Sequence, residues 1–176
     1  TKSNMIFELS KADLFFDYML VVGNKSVDCI VQESKVACPT NELGLEQGEP
    51  YTFVLKQTLG GTSQQLFAES LTTITSAELE SSSITEGQVI YDTPLSAQLT
   101  FSKPLVRATG VKLLQGDIEV PTTNTTDGKV VSITWASPLE RQKSFTIQVN
   151  SVLAEDGGYL EQPALVNFST SGGPKV

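Results

Sequence analysis

The 176 residues predict an all-β chain made of two consecutive antiparallel sandwiches. Three observations carry this reading. One stretch of sequence recurs later in the chain, short alternating apolar runs are separated by turn residues, and the abundant Thr, Ser, Val and Gly favour strands and turns over helices.

The repeat comes first because it sets the organisation. Leu45 to Leu55 reads LEQGEPYTFVL, and 94 residues further on Leu139 to Val149 reads LERQKSFTIQV. The same offset carries Lys35-Val36-Ala37-Cys38 onto Lys129-Val130-Val131-Ser132. With a small adjustment Leu9-Ser10-Lys11-Ala12 meets Phe101-Ser102-Lys103-Pro104, and Phe67 to Thr73 falls near Phe168-Ser169-Thr170. Two copies of one small domain account for these matches, with expected boundaries at 1–75 and 76–170 and a following linker starting at 171–176. The polar stretch from Thr72 to Ile84 reads as a short extended connection.

In the second copy, seven strands are expected at about 83–90, 95–102, 111–115, 118–124, 129–135, 144–150 and 163–170. Period-two alternation assigns to the core Ala97, Leu99 and Phe101, then Val131, Ile133 and Trp135, then Phe145, Ile147 and Val149, then Ala164, Val166 and Phe168. Asp127-Gly128, between two alternating runs, is expected to form a two-residue hairpin turn of type I′, which needs positive φ at both central positions. Asp156-Gly157-Gly158 marks a further turn. The first copy has no counterpart to the strand at 83–90, so it is either cut short or completes its sheet differently.

The pattern from Leu99 to Pro104, Asp127 to Val131, Leu139 to Ile147, Asp156 to Gly158 and Phe168 to Thr170 resembles the bacterial Ig-like domains of S-layer and other cell-surface proteins. The resemblance implies two tandem antiparallel Ig-like β-sandwiches. It also implies a non-catalytic spacer or a glycan- or protein-binding adhesive module, strung in tandem with other domains of an exported protein, or else an accessory domain of a cell-wall enzyme whose catalytic domain lies outside these residues.

Composition narrows the function classes. There is no histidine, which removes Ser-His and Cys-His dyads, the usual imidazole base and nearly all zinc sites. The expectation is therefore no enzyme, no cofactor and no metal. Twenty acidic residues against twelve basic ones leave a net charge of −8, so nucleic acid is not an expected partner. The longest apolar run, Met19 to Val22, is too short to span a bilayer, and no signal peptide opens the chain, which reads as a soluble, already trimmed piece. Partners are expected among neighbouring domains of the same chain, with surface glycan or protein as the other class, and the location is extracellular, at the cell surface.

Cys29 and Cys38 are the only cysteines. Two thiols cannot build a thiolate metal site, which leaves a disulfide or two inert thiols. Carrying the Asp127-Gly128 turn back by 94 residues puts a turn at Glu33-Ser34. Gln32 then faces Lys35, Val31 faces Val36, Ile30 faces Ala37 and Cys29 faces Cys38, and a disulfide is expected.

Other candidates compete with plainer readings. Trp135, the only tryptophan, is either a sugar-stacking platform or, beside Ile133, a core residue. Tyr91 and Tyr159 offer an aromatic contact patch or stand as separate surface side chains. Asp117, Glu119, Glu155 and Asp156 supply oxygens of the kind calcium takes, without EF-hand spacing. Asn24, Asn124 and Asn167 head glycosylation triplets that Ser- and Thr-rich chains produce by chance.

Overall fold

The computed structural model describes residues 4–10, 12–92 and 94–173. Lys11 of the repeat and the terminal Pro174 to Val176 lie outside the described residues. The chain divides into two compact units, residues 1–74 and 75–176, and neither contains helix among the described residues.

The first unit contains β1 (Asn4–Glu8), β2 (Asp17–Val22), β3 (Lys25–Asp28), β4 (Ile30–Gln32), β5 (Lys35–Pro39), β6 (Pro50–Leu59) and β7 (Thr62–Thr72). One sheet has the order β1-β5-β4 and the other β3-β2-β6-β7. Their inner faces meet at Leu20, Val22, Val36, Cys38, Phe53 and Leu55, joined by Leu43 from the β5–β6 connection. Phe7 of β1 and Phe67 of β7 meet edge to face across the core, with ring centroids 5.3 Å apart. Beyond Phe67, the core-facing positions of β7 lose their cover: Glu69 is exposed and Leu71 is 38% exposed.

The second unit contains β8 (Leu79–Ser82), β9 (Gln88–Ile90), β10 (Ser96–Phe101), β11 (Leu105–Gln115), β12 (Ile118–Val120), β13 (Thr122–Asp127), β14 (Val130–Trp135), β15 (Ser144–Ala154) and β16 (Ala164–Thr170). Its sheets run β13-β14-β10-β8 and β12-β11-β15-β16-β9. Of the alternating apolar residues, Ala97, Leu99, Phe101, Val131, Ile133, Trp135, Phe145, Ile147, Val149, Val166 and Phe168 are buried, and Ala164 is half-buried at the edge of the same cluster. Each buried large apolar side chain contributes about 1.5–3 kcal/mol relative to exposure, which makes this double layer the main source of stability.

The two strand orders correspond. β1, β5 and β4 occupy the places of β10, β14 and β13, and β3-β2-β6-β7 those of β12-β11-β15-β16. β8 and β9 have no counterpart among the described residues of the first unit. Leu9 N–H donates to Ser34 O at 2.9 Å where Phe101 N–H donates to Lys129 O at 2.9 Å, which ties the two hairpins to the same frame.

Several expectations need correction. The run at 83–90 is not one strand: it begins after β8, which pairs with β10, Ser83 to Gly87 cross between the layers, and only Gln88 to Ile90 form a strand, β9, on β16 of the other sheet. That last pairing is parallel, so the second sandwich is not purely antiparallel. The run at 118–124 also divides, because Pro121 lacks the N–H that a continuous ladder requires. β11 starts at Leu105, six residues before the expected start at 111, and passes through Gly110 at φ +62°. A Cβ at Gly110 would run into the Asn150 side chain on β15.

The β13–β14 turn is displaced by one residue. Asp127 pairs with Val130, so Gly128-Lys129 forms the loop. Gly128 has φ +52° and Asp127 is not in the positive-φ region, which is the φ pattern of a type II′ turn, not type I′. The β4–β5 loop is Glu33-Ser34, with Gln32 facing Lys35 and Glu33 at φ +55°. The two hairpins are thus separated by 95 residues, whereas β6 and β15 keep the 94-residue spacing.

Candidate functional site

Cys29 and Cys38 are joined by a disulfide, with Cα atoms 4.2 Å apart. Cys29 sits between β3 and β4, where the chain leaves one sheet for the other, and its N–H donates to Tyr18 O on β2 at 2.9 Å. Cys38 is fully buried on β5. The bond therefore fastens the crossing segment to the inner face of the opposite sheet. The register beside it runs Ile30–Ala37, Val31–Val36 and Gln32–Lys35.

The first unit also presents apolar side chains to solvent. Three residues separate β10 from β11, whereas eight separate β1 from β2. In that longer connection Phe16 N–H donates to Asp13 O, and the Asp13 carboxylate accepts from Phe15 N–H at 3.1 Å. The resulting turn leaves Leu14 and Phe15 81% and 83% exposed between Asp13 and Asp17. Sequence reading missed this tip. Its signal is an apolar triplet, Leu14-Phe15-Phe16, enclosed by two aspartates with no period-two partner.

The second unit disperses the other candidates. Trp135 is 4% exposed and faces the core, which overturns the sugar-platform alternative; its Nε1–H has no hydrogen-bond partner. Tyr91 follows β9 and its carbonyl accepts from Arg141, beside the start of β15, whereas Tyr159 bridges Leu153 near the strand's far end. They do not form one patch. Asp117 and Glu119 flank the β11–β12 turn, while Glu155 and Asp156 follow β15 opposite Leu105, at the other end of β11. Ten residue steps of strand place these groups about 33 Å apart, too far to share a cation. No cluster of three or more His, Cys, Asp or Glu with metal-binding proximity occurs among the described residues.

Two carboxyls are lowered by their hydrogen-bond partners. Asp156 accepts from Lys103 Nζ at 2.6 Å and from Gly158 N–H at 2.9 Å, and these bonds, the lysine's first, hold its carboxyl below the ordinary value. Glu86 accepts from Asn167 N–H at 2.7 Å and from the Asn167 amide at 3.0 Å, which lowers its carboxyl likewise. Gly87 N–H donates to Asn167 O at 2.7 Å, so this short crossing segment locks β9 into its parallel place on β16. Asn167, one of the three glycosylation-type asparagines, is thereby engaged on both its backbone and its amide.

Comparison with known proteins bears on the whole arrangement. The family model described as "Bacterial Ig-like domain" matches residues 73–170. Among solved structures, the chain is similar to CopC from Methylosinus trichosporium OB3b, at 15% identity and a TM-score of 0.46, over 54% of this chain and 93% of that one. No curated protein matches the chain. The family match takes in both sheets of the second unit, from ahead of β8 through the last strand, and it covers more than half of the sequence: the chain belongs to the bacterial Ig-like domain family.

Proposed function

We propose that this chain is a non-catalytic spacer within an exported bacterial cell-surface or cell-wall-associated protein, where its two sandwiches act as tandem Ig-like domains that hold neighbouring domains away from the cell. The observation that carries the reading is one strand order built twice in a single chain, with the family match on the second copy. The Cys29–Cys38 disulfide agrees with an oxidising, extracytoplasmic compartment. A spacer works through length and stiffness, so its side chains are interchangeable while its fold is not. In the full-length protein, replacing residues 75–170 by an unrelated sandwich of equal length should preserve surface display of the neighbouring domains, and deleting them should impair it. Loss of display after the equal-length replacement would overturn the spacer reading.

A second reading, an adhesion module, is favoured by the exposed Leu14–Phe15 tip. Exposed apolar pairs are the usual anchors of protein contacts. Saturable binding of the chain to cells or to a glycan array that disappears with Leu14→Ser and Phe15→Ser would establish it, and binding indifferent to both substitutions would exclude that tip.

A further inference from the structure

The outer face of the β11–β15 ladder carries a pocket of about 160 Å³ lined by Arg107, Thr109, Ser151, Val152, Leu153 and Tyr159. Strand alternation breaks three times to make it. Leu105 is buried, and the β-bulge that follows it leaves both Val106 and Arg107 outside. Without the extra residue Arg107 would fall on the inward side with Leu105. Gly110, at φ +62°, shifts the phase of β11 again, so that Thr109 is exposed between the core contacts of Ala108 and Val111. Opposite, Asn150 and Ser151 are both exposed between buried Val149 and Val152. Thr109 thus faces Ser151, and Arg107 faces Leu153. Tyr159 bridges Leu153 from its other side, which sets Arg107 and Tyr159 two strand spacings apart, about 10 Å, with Leu153 between them.

The sandwich itself does not require this face. In the first unit the pair that corresponds to Thr109 and Ser151 is Tyr18 and Gln57, and Tyr18 is buried. Nor does the fold use the Arg107 charge. Its guanidinium has no hydrogen-bond or ion-pair partner among the described residues, whereas Lys103 pairs with Asp156, Lys112 with Glu119, and Arg141 donates to Tyr91 O. In a chain of net charge −8, a guanidinium kept clear of carboxylates and set beside two hydroxyls is arranged for an anion from outside.

We propose that this pocket binds an acidic sugar, a hexuronic acid residue of a surface glycan. Each lining group matches one part of such a ligand. The Arg107 fork takes the carboxylate in two parallel hydrogen bonds, and the Thr109 and Ser151 hydroxyls bond to those of the ring. Tyr159, 55% exposed, and Leu153 offer the apolar surface that the C–H face of a pyranose covers. The volume lies well below the ~300 Å³ at which pockets begin to bury drug-sized ligands, and it suits one sugar residue. A phosphate would leave Tyr159 and Leu153 unused, and a neutral sugar would leave Arg107 unused. For a ligand this small a dissociation constant on the order of 1 mM is expected. A spacer needs no such pocket, so the site adds a ligand to a unit whose fold would serve without one.

Proton–nitrogen correlation spectra of the isotope-labelled full chain, titrated with methyl β-D-glucuronide, test this. The expected result is a set of saturable shifts at the Arg107, Thr109, Ser151, Leu153 and Tyr159 amides. Methyl β-D-glucoside, which carries CH2OH in place of the carboxylate, should bind at least about tenfold more weakly. Acetate and inorganic phosphate supply charge without the sugar ring and should also bind at least about tenfold more weakly. Arg107→Gln and Tyr159→Ala should each weaken glucuronide binding at least about fivefold, with the amides outside the pocket unmoved because both side chains are exposed. No saturable shift up to about 20 mM glucuronide, a glucoside, acetate or phosphate that binds as well, or binding indifferent to Arg107→Gln or Tyr159→Ala would each overturn the proposal.

Discussion

Removing the Trp135 ring separates two contributions that burial alone combines. The side chain is 4% exposed in the cluster that includes Ala97, Ile133 and Leu139, and its Nε1–H is buried without a partner. Trp135→Ala should destabilise the second unit by about 3–5 kcal/mol, the range for deleting a large buried aromatic. For a unit of this size that corresponds to a fall of very roughly 15–30 °C in Tm. Trp135→Phe should behave differently. It removes about one or two methylene equivalents of buried surface, a loss near 1–2 kcal/mol, but it also removes an unpaired N–H whose burial costs about 1–3 kcal/mol. The two nearly cancel, so the expected change lies within about 1 kcal/mol of zero. Urea unfolding followed by far-ultraviolet circular dichroism measures both variants without relying on tryptophan fluorescence. A loss below about 1 kcal/mol for Trp135→Ala would contradict the packed-ring account, and equal losses for the two variants would contradict the cost assigned to the N–H.

Three further outcomes follow from other elements. Reducing Cys29–Cys38 should destabilise the first unit by about 2.5–3 kcal/mol on the chain-entropy estimate for a loop of roughly ten residues, and leave the second unit's transition in place; calorimetry with and without reductant distinguishes the two. Because the carboxyls of Asp156 and Glu86 are lowered on folding, their stabilisation is present above their ordinary values, 3.8 and 4.5, and is lost as pH falls through the lowered folded values. Acid titration of Asp156→Asn and Glu86→Gln should therefore show weaker pH dependence of the second unit below about pH 4.5, and unchanged curves would refute the assignment. Gly110→Ala should cost at least about 1–2 kcal/mol, because a left-handed φ and the Asn150 side chain both oppose a Cβ there; a stability equal to the parent would show that β11 re-registers freely.

Alternation was enough to find the core of the second unit because β10, β14, β15 and β16 each keep one face buried, so a period of two maps onto inside and outside. It failed where a strand changes sheets. Ile84 is 3% exposed and reads as strand, yet it lies in the crossing between β8 and β9, where both layers bury it without a ladder. The turn at 127–128 was misplaced because Asp-Gly satisfies type I′ chemistry, while the observed loop uses the same glycine in the first position of Gly128-Lys129. The register around Glu33-Ser34 nevertheless agrees with the sequence reading, because the one-residue error in the turn cancelled a one-residue difference in hairpin spacing. The surface candidates were the least legible. Leu14 and Phe15 are apolar residues outside the core, and a pattern that equates apolar with buried cannot single them out.

The parallel pairing of β9 with β16 has a mechanical consequence. β16 is the last strand of the second unit and β9 the second, after β8 on the opposite sheet, and β9 and β16 run the same way along their ladder. Tension applied between residues 75 and 170 meets the short β8–β10 ladder first, and once β8 has come away it pulls β9 and β16 in opposite directions along their own axes. The bonds linking Phe168, Ser169 and Thr170 to Gln88, Val89 and Ile90, with the Glu86–Asn167 clamp behind them, are then loaded together in shear and not opened one by one. The β9–β16 ladder loaded this way yields abruptly at a high force, whereas an antiparallel pair in its place would unzip at a low one.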